Sequence, residues 1–215
     1  MFLNRIILTL VLLSIPSFIQ AQGSLLKKDE HGISLFGSYG RTSEVSSVQA
    51  TVIGTFAGTI DAGFYVASAD RDRPQESVSG TGFLMEIYAV REVPHQRTPF
   101  NFSIFGQFGT AENQNFYSFG CSLFKRTDDS KKAFIQPALS VAGTWQQDYN
   151  ESEVTVVLGI SIASKIGEAS VLHVTPSFGK AGDGIVIGVD AGIVLGKSTG
   201  QKAKAKKEKG KKWDF

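Results

Sequence analysis

The sequence predicts an all-β fold, a closed antiparallel transmembrane β-barrel of about ten strands. Three observations carry that prediction. The first is the stretch 183–196, DGIVIGVDAGIVLG. Ile185, Ile187, Val189, Ala191, Ile193 and Leu195 fall on one flank, and Gly184, Val186, Gly188, Asp190, Gly192 and Val194 on the other. A period of two means a strand, because successive side chains point to opposite faces. One flank is uninterrupted hydrocarbon and suits lipid. The other is small, with one carboxylate, and suits the inside of a narrow tube. The second observation is that this alternation recurs along 31–196. The third is that no apolar run of about 20 residues follows the N-terminus, so no helix is available to span a bilayer.

The strands follow in order. The first, 31–42, sends Ile33, Leu35, Gly37 and Tyr39 outward and Ser34, Phe36 and Ser38 inward. The second, 48–56, sends out Val48, Ala50, Val52 and Phe56 against Gln49, Thr51 and Thr55. Ala57-Gly58-Thr59 is a tight turn into the third, where Ile60, Ala62, Phe64 and Val66 oppose Asp61, Gly63 and Tyr65. Pro74 keeps SADRDRPQES a loop. In the fourth, 78–90, Phe83, Met85, Ile87 and Ala89 oppose Gly82, Leu84, Glu86 and Tyr88. The fifth has Phe100, Phe102, Ile104 and Phe108 outward and Asn101, Ser103, Phe105 and Gln107 inward. The sixth, 115–125, sets Tyr117, Phe119, Cys121 and Leu123 against Ser118, Gly120 and Ser122. The seventh, 133–145, sets Ile135, Leu139, Val141 and Trp145 against Gln136, Ala138, Ser140 and Thr144. The eighth opposes Val154, Val156, Leu158, Ile160 and Ile162 to Glu153, Thr155, Gly159, Ser161 and Ala163. In the ninth, Leu172, Val174 and Phe178 oppose Val171, His173, Thr175 and Ser177. The tenth is 183–196.

An even count puts both termini at one end, and closure removes edges that lipid cannot satisfy. Pro137 and Pro176 lack an N–H inside strands, which predicts a bulge or a frayed ladder at each. The count falls to eight if they break their strands. Tyr39, Phe108, Tyr117, Trp145 and Phe178 lie near one end of their strands, and Phe56, Phe100 and Phe124 near the other. That pattern predicts two interfacial aromatic girdles. On this architecture residues 31–196 resemble the small monomeric outer-membrane barrels of the OmpA/OmpX type. The resemblance implies a bacterial outer-membrane location, periplasmic termini, a monomer, and partners in outer-membrane lipid and the export and barrel-assembly machinery. Those families often end on an aromatic residue of the final strand. Here that strand ends at Leu195-Gly196 and 19 residues follow.

Residues 1–21 read as a secretory signal: Arg5, then IILTLVLLSI, then Pro16 and Ala21 before the cut. Residues 22–30 are a short N-terminal segment. The tail 197–215, KSTGQKAKAKKEKGKKWDF, lacks the apolar content to order itself and is expected to be a disordered periplasmic segment. Charge is split between these parts. The whole chain is +2; Arg5 supplies +1 and the tail +6, with eight lysines against Glu208 and Asp214, which leaves −5 for residues 22–196. The tail is expected to stay solvated, or to meet anionic lipid headgroups or cell-wall polymer with Trp213 and Phe215 in the interface. Nucleic acid is not an expected partner outside the cytoplasm.

The inward titratable groups Asp61, Glu86, Glu153, His173 and Asp190 are the candidate lumen residues. As paired or hydrated packing groups they are structural. If Glu86 and Asp190 share a depth, they make an acidic lumen that favours cations. His173-Val174-Thr175 puts an imidazole and a hydroxyl on one face, a pattern seen as His-x-Ser in outer-membrane lipid A deacylases. No zinc-type spacing or phosphate-binding glycine loop is present, and no cofactor is expected. A single cysteine, Cys121, excludes an intrachain disulfide. The expected function is a structural barrel, or a narrow conduit or binding barrel for a small solute, and not an enzyme. Short loops of similar length leave no receptor head and no plug. The alternatives are a lipid esterase or deacylase, and a soluble lipocalin-like barrel whose greasy flanks would have to turn inward.

Overall fold

Alternation over the whole length of each segment leaves a strand only one way to bury its polar flank, which is to curl the sheet until it meets itself. In the computed structural model ten strands do so. They are β1 (Glu30–Arg41), β2 (Val45–Phe56), β3 (Ile60–Arg71), β4 (Glu76–Val90), β5 (Asn101–Ala111), β6 (Gln114–Phe124), β7 (Ala133–Gln146), β8 (Glu151–Lys165), β9 (Val171–Ala181) and β10 (Gly184–Ser198). Each pairs antiparallel with its sequence neighbours, and β1 pairs with β10 to close the barrel. The structure describes residues 25–26, 30–43, 45–71, 76–90, 100–111, 114–127, 132–146, 151–166 and 170–198. Residues 1–21, expected to be a secretory signal, and the tail beyond 198 lie outside the described residues. Lys197 and Ser198 belong to β10, with Lys197 opposite His31, so the strand runs two residues further than the alternation suggested.

The ladder fixes the shape of the tube. Crossing from Gly184 to Ala181, Thr155, Ala142, Gly120, Phe105, Glu86, Asp61, Thr55 and Gly32 returns to β10 at Gly196, 12 residues further along. With strands about 4.8 Å apart and a rise of about 3.3 Å per residue, that stagger sets a tilt near 40° and a backbone radius of about 10 Å. Medium and large side chains can fill a tube of that width. The outward run from Ile185 to Leu195 then covers about 25 Å along the axis, the height of an outer-membrane apolar belt.

Sidedness follows the alternation. Phe64 is 70 % exposed, and Leu158, Ile187 and Phe178 are likewise on the outer surface, while Ser34, Asp61, Gln136 and Val194 are fully buried. A lipocalin-like container needs the opposite arrangement and is excluded. The girdle away from the termini is dense, with Phe108 against Tyr117 at 5.3 Å and Phe119 against Trp145 at 6.1 Å between ring centres. Beyond it the outward residues Ser68, Ser79, Thr81 and Thr110 replace hydrocarbon with hydroxyl groups. The girdle nearer the termini holds Phe56 and Phe100 but not Phe124. Leu123 takes the outward place, so Phe124 points inward and packs edge-on against Tyr88 at 5.9 Å.

Neither proline breaks a strand. Pro137 keeps its place opposite Ile160, and its missing N–H falls towards β6, where the ladder ends at Phe124 and only the Pro137 carbonyl is used, by Lys125 N at 3.1 Å. Pro176 stays paired with Val189, and the β8–β9 ladder has a gap between Ser177 and Val174. Both are frayed ladders. Among the described residues the register shift lies elsewhere, between Tyr88 and Val90 against β5.

Two expectations about the ends are corrected. The connections differ in length by end. Those at the mouth away from the termini are two to four residues long, whereas ten residues join β4 to β5 and eight join β6 to β7 at the terminus side. The lumen is also stopped at the terminus side. Leu25 and Leu26, from the short N-terminal segment, sit in the mouth among Phe134, Ala163, Val171 and Val194. No loop supplies this stopper, which is why loop length gave no sign of it.

Candidate functional site

The stagger of the ladder decides which inward polar groups meet. Asp61 on β3 and Glu86 on β4 are direct cross-strand partners, 0 % and 3 % exposed. Two carboxylates directly opposite repel unless donors stand between them. Tyr88, two residues beyond Glu86 and so on the same face, puts its hydroxyl between them, 2.9 Å from Asp61 Oδ2 and 3.1 Å from Glu86 Oε2. Ser103 on β5 is opposite Tyr88 and donates to Glu86 Oε1 at 2.5 Å. The result is a carboxylate pair dressed by a phenol and a hydroxyl, with Phe124 packed on the phenol ring.

A second centre lies on the opposite wall. Asp190 on β10 is flanked across the ladder by Thr175 on β9 and Ser38 on β1. His173 lies two residues from Thr175 and faces Gly192. Both are buried, with His173 3 % and Asp190 1 % exposed. Neither ring nitrogen of His173 has a hydrogen-bond partner among the described residues, and Ser38 is the hydroxyl beside the Asp190 carboxylate. Thr175 donates to Ser161 Oγ at 2.9 Å instead of engaging His173.

Counting along the ladder and allowing for the tilt, Glu86 and Asp190 differ by only about 3 Å in depth. They do share a level, as the acidic-lumen reading requires. Glu153 does not join either centre. It sits half-buried at the far mouth, where its carboxylate lies against the Gly182 turn: a Cβ on Gly182 would meet Glu153 Oε1 at 2.7 Å. No group of three or more His, Cys, Asp or Glu that could hold a metal occurs among the described residues.

Access decides what these groups can do. The lumen between and around them is filled by Phe36, Ile53, Tyr65, Leu84, Phe105 and Phe116, all buried. A small gap of about 10 Å³, lined by Ile53, Leu84, Glu86, Phe105 and Gln107 among others, is the size of a single water. The gap beside Glu86 is smaller than a sugar or an ester. A His-x-Thr pair turned inward likewise has no lipid at its hydroxyl. The alternation identified the five titratable residues but gave Tyr88 and Ser103 no role. Their presence on the inward flank beside Glu86 was the available signal, and it needed the pairing of β4 with β3 and β5 to acquire meaning.

Replacing Tyr88 by Phe removes the hydroxyl while keeping the ring against Phe124. Two buried carboxylates then lose a donor, and the expected cost is about 1–3 kcal/mol. Urea unfolding of the barrel in lipid vesicles measures it. A midpoint unchanged from the parent would mean that the phenol does not hold the pair.

No protein-family model matches the chain, and no curated protein sequence matches it. Solved structures of outer-membrane barrels do resemble it. The β domain of the Bordetella autotransporter BrkA is 12 % identical, with 78 % of this chain and 99 % of that one covered and a TM-score of 0.49. The KdgM porin in complex with disordered oligogalacturonate is 9 % identical over 75 % of this chain and 98 % of that one, with a TM-score of 0.41. Ail, the attachment invasion locus protein of Yersinia pestis, is 11 % identical over 79 % and 99 %, with a TM-score of 0.31. At these identities the likeness is one of fold. The bilayer location stands on the barrel's own surface: a closed tube with an apolar belt of outer-membrane height and a packed polar interior.

Proposed function

We propose that the protein is a sealed structural barrel of the bacterial outer membrane, neither conduit nor enzyme. The observation that carries this reading is the lumen. Its inward side chains are buried along the whole length of the barrel, from Val45 and Phe116 near one mouth to Val171 and Val194 near the other, and Leu25 and Leu26 stop the terminus side. A conducting path needs a continuous file of water, and a hydrophobic constriction of this kind supports a closed lumen instead. The short connections at the far mouth leave little surface for a receptor head.

The barrel would serve as an anchor. Exposed Lys125, Lys132 and Lys197 stand at the mouth where the chain passes into the lysine-rich tail. Rim and tail together suit anionic lipid headgroups or cell-wall polymer, held by many weak, salt-sensitive contacts. On this reading the protein is a monomer whose other partners are outer-membrane lipid and the machinery that exports and inserts it.

Planar-bilayer recording of the refolded protein tests the sealed lumen. The expected result is no discrete conductance steps. Cation-selective steps that change in Glu86→Gln or Asp190→Asn would replace this reading with the conduit.

A further inference from the structure

The outer wall changes character on one side of the barrel. At the end away from the termini a groove of about 710 Å³ opens across β2, β3, β4 and β5. That volume falls in the range of small-molecule sites, about 300–1,000 Å³. Two rows of the ladder line it, Ala50, Val66, Thr81 and Thr110 in one and Val48, Ser68 and Ser79 in the other. All these side chains are short and point outward. The next row towards the bilayer centre is Val52, Phe64, Phe83, Phe108 and Tyr117. Its rings stand side by side, Phe64 against Phe83 at 5.4 Å and Phe108 against Tyr117 at 5.3 Å between centres. Short side chains beside tall rings make a ledge.

The groove has two characters. Valine and alanine line its β2 side, and four hydroxyls line it over β3, β4 and β5. Each hydroxyl both donates and accepts. Hydrocarbon alone leaves such groups unmet, at a cost in free energy. Ser79 reaches Ser68 only at 3.4 Å, a long contact that leaves both with capacity to spare. No charged side chain is among the described residues that line the groove. Exposed Asp70 stands at the rim, two residues beyond Ser68 on the same flank, and exposed Arg41 stands two strands further round, opposite Ser46. A phosphate needs a different arrangement, with cations in the site itself. A sugar ring fits this one. Its hydroxyls donate and accept round the edge, and its C–H faces pack on aliphatic and aromatic side chains.

The ledge also says where the occupant comes from. Below the rings the same wall carries Met85 and Ile87, exposed on the apolar belt. A lipid whose chains lie on that belt holds its head at the level of the hydroxyls. We propose that the groove binds the uncharged sugar head of a glycolipid, with the acyl chains passing over the ring ledge onto the belt. The proposal rests on the outer wall meeting lipid and is independent of whether the lumen is sealed.

The test uses the mature chain refolded into phosphatidylcholine nanodiscs that contain a small fraction of digalactosyl diacylglycerol. Native mass spectrometry counts the lipids that stay on the barrel when the disc is removed. Heat-modifiable gel migration shows that each protein is folded in the membrane, so a missing lipid counts against the site and not against the barrel. The digalactosyl lipid is expected to be retained about fivefold above its share of the bilayer, the effect of about one net hydrogen bond. Phosphatidic acid at the same fraction, with the same chains and a phosphate in place of the sugars, is expected to show no enrichment. Ser79→Leu with Thr81→Leu fills the groove with side chains that suit a lipid-facing wall, and is expected to abolish the enrichment. Val156→Leu, outward on β8 and away from the groove, is expected to leave it unchanged. No enrichment in the parent, equal enrichment in the filled variant, equal enrichment of phosphatidic acid, or paired barrels without retained lipid each overturns the proposal.

Discussion

Leu158→Arg is expected to destabilise the folded barrel by about 2–4 kcal/mol, and Ser79→Arg by no more than about 1 kcal/mol. Leu158 points outward on β8, half-exposed, at the middle of the apolar belt. An arginine there must bring its charge out of the hydrocarbon by bending towards an interface or by thinning the bilayer, and either costs energy. Ser79 also points outward, but it lies beyond the Phe64–Phe83 pair, where its hydroxyl donates to Ser68 at 3.4 Å. An arginine at that level reaches headgroups directly. Reversible urea unfolding of both variants in vesicles measures the two costs. If Ser79→Arg proved the more damaging, the outer surface would not be meeting lipid where its hydrocarbon is.

The wall of the barrel was legible in the sequence because one number, the period of two, fixes which flank each residue joins. Strand limits read from it fall within a few residues of the observed ones, and every residue assigned inward on β10 or β3 is inward. Phe124 shows how this reading fails. Its nearness to the strand end marks it as a girdle residue, while its neighbour Leu123 holds the outward flank. Alternation was the stronger constraint, and it put the ring against Tyr88.

The candidate site was legible only as a set of residues. Periodicity gives direction within a strand and nothing about which residue on the next strand stands opposite. That depends on the stagger, which turns and connections set one hairpin at a time. Hence the sequence marks Asp61, Glu86, His173 and Asp190, but not their division into a carboxylate pair on one wall and a His173–Asp190 centre on the other. Glu153 shares the same inward flank, yet it stands at the far mouth, because direction alone carries no depth. Leu25 and Leu26 were beyond reach for a different reason. Two leucines in a short segment have no period, and what holds them is a socket assembled from four strands and an arginine a hundred residues away.

Gly120→Leu is expected to prevent closure of the barrel, at a cost above about 3 kcal/mol, beyond the usual range for an overpacked core. Gly120 lies on the inward flank of β6, between Phe105 on β5 and Ala142 on β7. The Phe105 ring lies across it, and a Cβ at this position would run into both that ring and the Val141 carbonyl. The ring can turn away, but the carbonyl belongs to the β7 backbone and moves only if the strand moves. Adding Phe105→Ala is therefore expected to restore part of the loss and not all of it. Gly37→Leu is the control. Gly37 is also a strand glycine, but it faces outward, where a Cβ would find only the Gln49 carbonyl at 3.8 Å, an ordinary contact. It is expected to fold as the parent does, since glycine is no favoured strand residue where space is free. The yield of heat-resistant compact species after refolding reads all three. Parent-like folding of Gly120→Leu would mean that the tube is wider than a stagger of 12 across ten strands allows, and that its lumen is not packed shut.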